Sequence, residues 1–452
     1  MALLQLSIIE AEKNIIERTA KITIVGLGKM GQPLVLVFTN AGFNVTGFDI
    51  SEETVNMLNV GRTLIINEPE VQDRLVNAVA NDKFTATINI EEAVKDTDFI
   101  IIIIPVLTEN DGNADIKNLL QLYQDLRDHC EEGVIFIQES TLPPGTTSGP
   151  VKTVLENKGW KSGKEFGLVF APERTLSGRV IEDIEVRYPK IIGGDTENSA
   201  KITKILYEQV CRKGVLNLTN TSTAEAVKTF KGAYRDANIA IANQFAILAD
   251  LYNIDILEII DAANTEPFSH IHKPGIGVGG HCIPVYPRFL IAQGKDMGYL
   301  PTLFSTSREI NDFMVDYAIE VFTKYANQPV EDVLILGIAY RGGVKEIRLS
   351  PALRLIPQLR SLNMRVKATD PLYSTAEIDN IFGVGTGIEW DENLLSEYKN
   401  LIIVTDHVEF KGHESKLNNH IIYDGRYVID HNLVDNSKLL QPGRLTLQNN
   451  DH

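Results

Sequence analysis

The chain has 452 residues, 44% of them hydrophobic, which is more than one ordinary core needs and points to two or three globular domains. Its formal net charge of −17 repels nucleic acid on average, so an anionic ligand has to be captured by a local site rather than by a basic surface. Three cysteines are too sparse, and odd in number, for a disulfide framework; they fit free thiols in a reducing, cytoplasmic setting.

The first stretch, MALLQLSIIEAEKNIIERTA, lacks a basic segment and a small-residue cleavage site and reads as an amphipathic helix. From Lys21 the pattern KITIVGLGKMGQPLVLVFTNAGFNVTGFDI gives strand, glycine turn, apolar helix and second strand, a βαβ unit. Gly26, Gly28 and Gly31 form G-x-G-x-x-G, so backbone N–H groups at a helix N-terminus can approach a pyrophosphate with no Cβ in the way. Asp49 ends the next strand, where a carboxylate accepts a ribose 2′-hydroxyl and repels a 2′-phosphate; NAD is favoured over NADP. The run FIIIIIPV at 99–106 is far short of the roughly 20 residues a membrane span needs and reads as a strand buried on both faces. Further strands are expected at 134–138 and 167–170, each followed by a stretch at the edge where open α/β sheets bind ligands: ESTLPPGTT at 139–147 and APERTLSGR at 171–179.

Thr221 to Asn253 has no proline and helical apolar spacing, so one long helix is expected, linking two domains. Lys228, Gly232 and Arg235 share a stripe on it, which faces either a ligand or solvent. The loop GIGVGGHC holds Gly275, Gly277, Gly279 and Gly280 ahead of His281 and Cys282, with Lys273 adding positive charge, a setting for a phosphate and a reactive thiol. Cys130 and Cys211 read as core or incidental. A zinc site of His270, His272, His281 and Cys282 is a weaker alternative, because the spacing matches no common ligand pattern. After Pro329 the α/β rhythm restarts, with Ser350 and Pro351 opening a helix that Pro357 should kink, and the polar tail from Asn432 is expected to be loose. The expected architecture is α/β, two Rossmann-like parallel-sheet domains joined by a long central helix. The expected regions are 1–205 for a dinucleotide, 206–325 for the helix and thiol loop, 326–440 for a second Rossmann-like domain, and 441–452 as a tail.

Taken in order, GLGKMG, ESTLPPGTT, APERTLSG, AEAVK…YRDANIA, PGIGVGGHC and RLSPA resemble the nucleotide-sugar 6-dehydrogenases, the UDP-sugar dehydrogenase family, from about Lys21 to about Arg426. The resemblance implies a homodimer with NAD in the N-terminal domain and the UDP part in the C-terminal domain; no metal is expected. It also implies two hydride transfers from C6, through a thiohemiacetal on Cys282, with an N-acetylated sugar favoured by APER and GGHC: UDP-N-acetyl-D-mannosamine is expected first, with UDP-N-acetylglucosamine or UDP-glucose as alternatives. The catalytic residues it implies are Cys282, Lys228 for the oxyanion, Glu173 for water and Thr141 beside the cofactor. Cofactor contacts are implied at Gly26, Gly28, Lys29, Met30, Gly31, Asp49, Thr141 and Gly279. Substrate contacts are implied at Arg174, Lys228, Arg235, Asn238, Lys273, Gly275, Gly277, Tyr286 and Arg348.

Three departures stand out: Tyr286 where the family usually has Asp, Gly232 where it usually has Asn, and I-P-V-L at 104–107 for V-P-T-P. A phenol with an ordinary pKa near 10 is a poor base at neutral pH but a good hydrogen-bond donor. Two rival readings remain open. A single-step β-hydroxyacid-type dehydrogenase would share GLGKMG and a helix lysine but has no use for Cys282 or a third domain. A catalytically silent UDP-sugar sensor would fit the lost Asp and Asn.

Overall fold

A computed structural model describes residues 2–65, 68–109, 111–157, 159–326, 332–434 and 436–445; the expected restart at Pro329 and the last seven residues of the tail lie outside them. The chain divides into two compact units, residues 1–231 and 232–452.

In the first unit eight of the described strands form one sheet, in the order Val215–Leu218, Lys190–Gly194, Phe166–Phe170, Val134–Gln138, Phe99–Ile102, Lys21–Val25, Asn44–Phe48, Phe84–Thr87, and Leu107–Thr108 and Ala114–Asp115 form a separate antiparallel pair. Alternation across the pleat sends Phe99 and Ile101 into one apolar cluster and Ile100 and Ile102 into another, so this strand is buried on both faces, as its unbroken isoleucine run requires. Parallel pairing then brings the ends of four strands to one edge, where Gly26, Asp49, Glu139 and Ala171 emerge.

The sheet departs from the wholly parallel expectation in one place. Lys190–Gly194 pairs antiparallel with Phe166–Phe170, and Val215–Leu218 follows Lys190–Gly194 in parallel, so two strands run against the other six. The link between Phe170 and Lys190 carries only the short helical turns Val180–Glu182 and Asp183–Arg187, and it returns along the same edge as antiparallel pairing allows. Lys190 therefore starts its strand beside the loop that leaves Phe170. The edge strand Val215–Leu218 also carries the first sheet past the expected boundary at residue 205.

The second unit holds a five-stranded, wholly parallel sheet of described strands in the order Arg365–Thr369, Asp332–Leu336, Asn400–Ile403, Ile421–Asp424, Lys438–Leu440. The long helix is Thr221–Tyr252 and runs through the division between the units. The helix after Ser350 spans Ala352–Ser361 with Pro351 as its cap, one residue later than expected, and the Ser350 hydroxyl accepts from the Ala352 N–H at 3.2 Å.

The expected loose tail is corrected by the structure up to residue 445. Lys438–Leu440 adds a strand to the sheet, Asp250 accepts from the N–H groups of Gly443 and Leu445 at 3.0 Å each, and Arg444 pairs with Asp255 at 2.8 Å. The polar average of this segment hides Leu439, Leu440 and Leu445, which are all buried.

Candidate active site

At the glycine turn of the first unit, Gly26 has φ +96°, and a Cβ there would stand 2.7 Å from the Ile103 carbonyl oxygen. Gly31 opens the helix Gly31–Asn40, and a Cβ on it would lie 1.8 Å from the Gly26 carbonyl oxygen, so helix and turn can close on each other only with glycine at 31. Gly28 differs, since its Cβ direction is open for 4 Å. Asp49 braces the turn: one carboxylate oxygen accepts from the Leu27 N–H at 2.7 Å and the other from the Ser51 N–H at 2.9 Å. Lys29 is exposed, and the half-buried Met30 sulfur accepts from the Thr175 hydroxyl at 3.5 Å, tying the turn to the APER loop.

The two motif loops leave adjacent strands in register, because Gln138 pairs with Phe170. Thr141 and Glu173 each follow three residues beyond that pair, and Thr141 is half-buried. The loop carrying Thr141 is held from the long helix by Glu225, whose carboxylate accepts from the Gly145 N–H at 2.6 Å, the Thr147 N–H at 2.8 Å and the Thr147 hydroxyl at 2.6 Å. Burial pushes the Glu225 carboxyl up to about 7, against the pull of those three donors.

One turn further along the helix, the Lys228 ammonium donates to the backbone carbonyl of Glu173, so these two predicted residues meet. One Glu173 carboxylate oxygen accepts from the Arg174 and Thr175 N–H groups at 2.5 and 2.9 Å, and the other faces the Lys190 ammonium at 3.5 Å. Lys190 donates to Glu139 at 2.7 Å, and the Tyr207 hydroxyl donates to the same carboxylate oxygen. Burial pulls the Lys190 ammonium down, but Glu139 and Glu173 more than offset it and hold it above the ordinary lysine range. The Arg174 guanidinium donates to the Pro189 carbonyl beside the Tyr188 ring.

In the second unit the glycine-rich loop is held residue by residue. The Gly275 N–H donates to Asn243 at 2.9 Å, the Gly277 carbonyl accepts from Arg426 at 3.1 Å, and the Gly280 N–H donates to the Arg348 carbonyl at 2.8 Å. A Cβ on Gly279 would stand 2.7 Å from both the Leu349 carbonyl oxygen and the Tyr340 Cβ, so packing inside this unit already demands that glycine. His281 meets Glu346 at 2.8 Å. Cys282 is exposed, and the hydroxyl of buried Tyr286 donates to its sulfur at 3.0 Å. Arg235 and Lys273 are exposed, whereas Asn238 accepts from the His272 N–H at 3.2 Å and donates to the His270 carbonyl at 2.7 Å, ordering the approach to the loop.

Burial pushes the thiols of Cys130 and Cys211 up to about 12, which leaves Cys282 as the accessible sulfur of the three. Among the described residues no group of three or more His, Cys, Asp or Glu side chains could hold a metal ion.

Sequence models of the UDP-glucose/GDP-mannose dehydrogenase family match along this chain: the NAD-binding domain at residues 20–211, the central domain at 222–313 and the UDP-binding domain at 334–431. The chain belongs to that family. The UDP-N-acetyl-D-mannosamine dehydrogenase of Pyrococcus horikoshii is 35% identical over 420 residues, which cover 90% of this chain and 96% of that protein. The one of Methanocaldococcus jannaschii is 31% identical over 432 residues, covering 94% and 96%. Among solved structures, UDP-D-ManNAc dehydrogenase from P. horikoshii aligns with TM-score 0.85 at 32% identity, covering 94% of this chain and 99% of that one. Cap5O, the UDP-N-acetyl-mannosamine dehydrogenase of Staphylococcus aureus, aligns with TM-score 0.80 at 29% identity, covering 95% and 99%.

As a family member the protein is an NAD-dependent oxidoreductase acting on a nucleotide sugar. Its own residues fit NAD, because the space over Gly28 at a helix N-terminus suits a pyrophosphate and Asp49 stands where a ribose hydroxyl would be bound. Sequence reading missed Glu139, Lys190, Glu225, Asn243 and Arg426. A signal existed for one of them: Asn243 lies seven residues after Asp236, so the two polar residues share a face of the helix Thr221–Tyr252, and both are wholly buried.

Proposed function

We propose that this chain oxidises C6 of UDP-N-acetyl-D-mannosamine to the uronic acid in two successive NAD-dependent steps. The observation that carries this reading is an exposed Cys282 at the end of a glycine-rich loop, in a chain 35% identical to the P. horikoshii UDP-N-acetyl-D-mannosamine dehydrogenase over 420 residues. In balance, R–CH2OH, water and two NAD+ give R–COO−, two NADH and three protons. Gly26, Gly28 and Gly31 would hold NAD, with Asp49 accepting from its ribose, and the bound cofactor would supply the hydride acceptor.

The chain's own groups do the rest. Lys228, fixed on the Glu173 carbonyl, offers a positive charge to the substrate oxygen as it becomes anionic. The Cys282 sulfur gives up its proton and forms a bond to the aldehyde carbon, while the carbonyl electron pair moves onto oxygen, which takes up a proton to give a thiohemiacetal. Oxidation at that carbon leaves a thioester. Glu173 takes a proton from the attacking water, the C–S bond breaks and its electron pair returns to the Cys282 sulfur. Thr141 borders the cofactor, while Arg174, Arg235, Asn238, Lys273 and Arg348 contact the sugar nucleotide.

A homodimer is part of the same proposal. Phe230, Tyr234, Ile241, Phe245, Leu248 and Tyr252 recur at helical spacing and are exposed on Thr221–Tyr252, an apolar stripe suited to burial against a second copy. A cytoplasmic location fits three free thiols and the absence, among the described residues, of a helix long and apolar enough to cross a membrane.

The decisive experiment supplies NAD with UDP-N-acetyl-D-mannosamine, UDP-N-acetyl-D-glucosamine and UDP-glucose and counts NADH per sugar consumed. Two NADH per UDP-N-acetyl-D-mannosamine is the expected result. Preference for another sugar overturns the substrate assignment, a ratio of one overturns the second oxidation, and binding without turnover leaves a sensor.

A further inference from the structure

Gly232 occupies the interior of the helix Thr221–Tyr252, where glycine is unfavourable, and the reason lies in one neighbour. A Cβ at 232 would stand 2.5 Å from Tyr286 Cδ2, 3.0 Å from its Cβ and 3.2 Å from its Cγ. The ring of Tyr286 thus fills the space a side chain at 232 would need. Tyr286 is 8% exposed and also packs against Phe289 at a ring separation of 6.4 Å. Its N–H donates to the Cys282 carbonyl at 3.0 Å, which makes the segment from 282 to 286 one helical turn and sets both side chains on one face. With the ring clamped in this way, the hydroxyl reaches Cys282 Sγ at 3.0 Å.

We infer that Gly232 and Tyr286 are one coupled device in which the glycine makes room for a phenol that positions and polarises the nucleophilic sulfur of Cys282. This deepens the proposed function and rests on its reading of Cys282 as the nucleophile. A sulfur bearing negative charge accepts a hydrogen bond more strongly than a neutral thiol, so the Tyr286 O–H favours the thiolate that attacks. It favours equally the thiolate that departs when the C–S bond of the thioester breaks. No proton leaves the phenol in either step. The two departures from the usual family residues, Tyr286 for Asp and Gly232 for Asn, are therefore a single exchange: a hydrogen-bond donor to sulfur replaces a carboxylate, and the helix gives up a side chain to admit it.

The test uses the full-length protein and needs neither NAD nor sugar: iodoacetamide alkylation of Cys282 at pH 7, followed by peptide mass spectrometry. Tyr286→Phe keeps the ring over Gly232 and removes only the hydroxyl, so packing is retained while the alkylation rate should fall about threefold to tenfold. Gly232→Ala keeps the hydroxyl but drives a methyl into the ring, and it should slow alkylation to a similar degree. In the double variant the losses should not multiply, since both act on the same hydrogen bond.

In turnover with the preferred UDP-sugar, Tyr286→Phe should lower kcat with KM unchanged and should let a sugar adduct accumulate on Cys282. Unchanged or faster alkylation in Tyr286→Phe overturns the inference even if uronate is formed, and multiplicative losses in the double variant overturn the coupling. Slower, non-multiplicative alkylation with no sugar oxidised would uphold the device and sink the proposed function instead.

Discussion

Gly28 and Gly31 sit three residues apart in one turn, yet the structure predicts opposite consequences for replacing them with alanine. At Gly31 the new methyl would lie 1.8 Å from the Gly26 carbonyl oxygen, where ordinary contact begins at 3.4 Å, so main chain must move by the difference. Both partners are backbone in a packed βαβ unit and cannot rotate away. The cost belongs at or above the top of the usual overpacking range, about 3 kcal/mol. For a unit of 231 residues, each kcal/mol lowers Tm by about 2–4 °C, which predicts a fall of roughly 6–12 °C. At Gly28 the methyl meets nothing within 4 Å, so Tm should stay within about a degree of wild type. The same methyl enters the space where a pyrophosphate would approach the helix N-terminus. NAD affinity should fall at least about tenfold, roughly 1.4 kcal/mol. Thermal unfolding of the NAD-free protein and calorimetric titration with NAD separate the two effects. A Gly28→Ala protein with wild-type affinity would remove the pyrophosphate from this turn, and a Gly31→Ala protein with wild-type Tm would show slack that the geometry denies.

Cys282→Ser should bind NAD and UDP-sugar as the wild type does while uronate formation falls by at least about a hundredfold, and wild-type rates in that variant would strip the sulfur of its role. NAD should be preferred over NADP by at least about tenfold in kcat/KM, with the preference shrinking in Asp49→Asn; equal use of the two by wild type would leave Asp49 as a brace of the turn alone. Glu225 carries a carboxyl raised from 4.5 to about 7, so its stability contribution is complete below pH 4.5 and is lost as pH rises through 7, on the order of 3 kcal/mol. Denaturant unfolding of wild type should weaken between pH 5 and 8 more steeply than that of Glu225→Gln, and parallel curves would refute the burial argument. Tyr234→Asp, on the exposed apolar stripe, should shift the protein toward monomer in analytical ultracentrifugation; an unchanged dimer would move the interface elsewhere.

The parts of the fold that the sequence displayed are those set by local pattern. The isoleucines of Phe99–Ile102, the glycines between Lys21–Val25 and Gly31–Asn40, and the unbroken helix Thr221–Tyr252 each need only a short window to be read. What stayed hidden depends on partners far apart in the chain. Lys190 is 51 residues from Glu139, and Glu225 is 80 from Gly145. The antiparallel return at Lys190–Gly194 has no periodic signature of its own, and the final strand Lys438–Leu440 is three residues in a polar tail. Gly232 and Tyr286 looked like two separate departures because nothing in the sequence says that residues 54 apart share one volume; only the distance between them makes them one.

Three carboxylates stand near the same edge of the first sheet, and their surroundings assign them different work. Glu225 is wholly buried and spends both oxygens on the loop from Gly145 to Thr147, so it can clamp but cannot meet water. Glu139 is 1% exposed, and burial pushes its carboxyl up against the opposing charge of Lys190. Together with Tyr207 it anchors the ammonium that Glu173 faces. Glu173 retains 12% side-chain exposure, with one oxygen fixed by two backbone N–H groups and the other directed toward Lys190 at a loose 3.5 Å. Of the three it alone is both oriented and open, which are the conditions for taking a proton from an incoming water. The same geometry gives Lys190 an expected positioning role through Glu173. An ammonium with two carboxylates around it holds the Glu173 oxygen in place, so Lys190→Met should misplace Glu173 and slow thioester hydrolysis more than sugar binding. Accumulation of a sugar adduct on Cys282 with unchanged KM is the expected signature, and a loss confined to KM would contradict it.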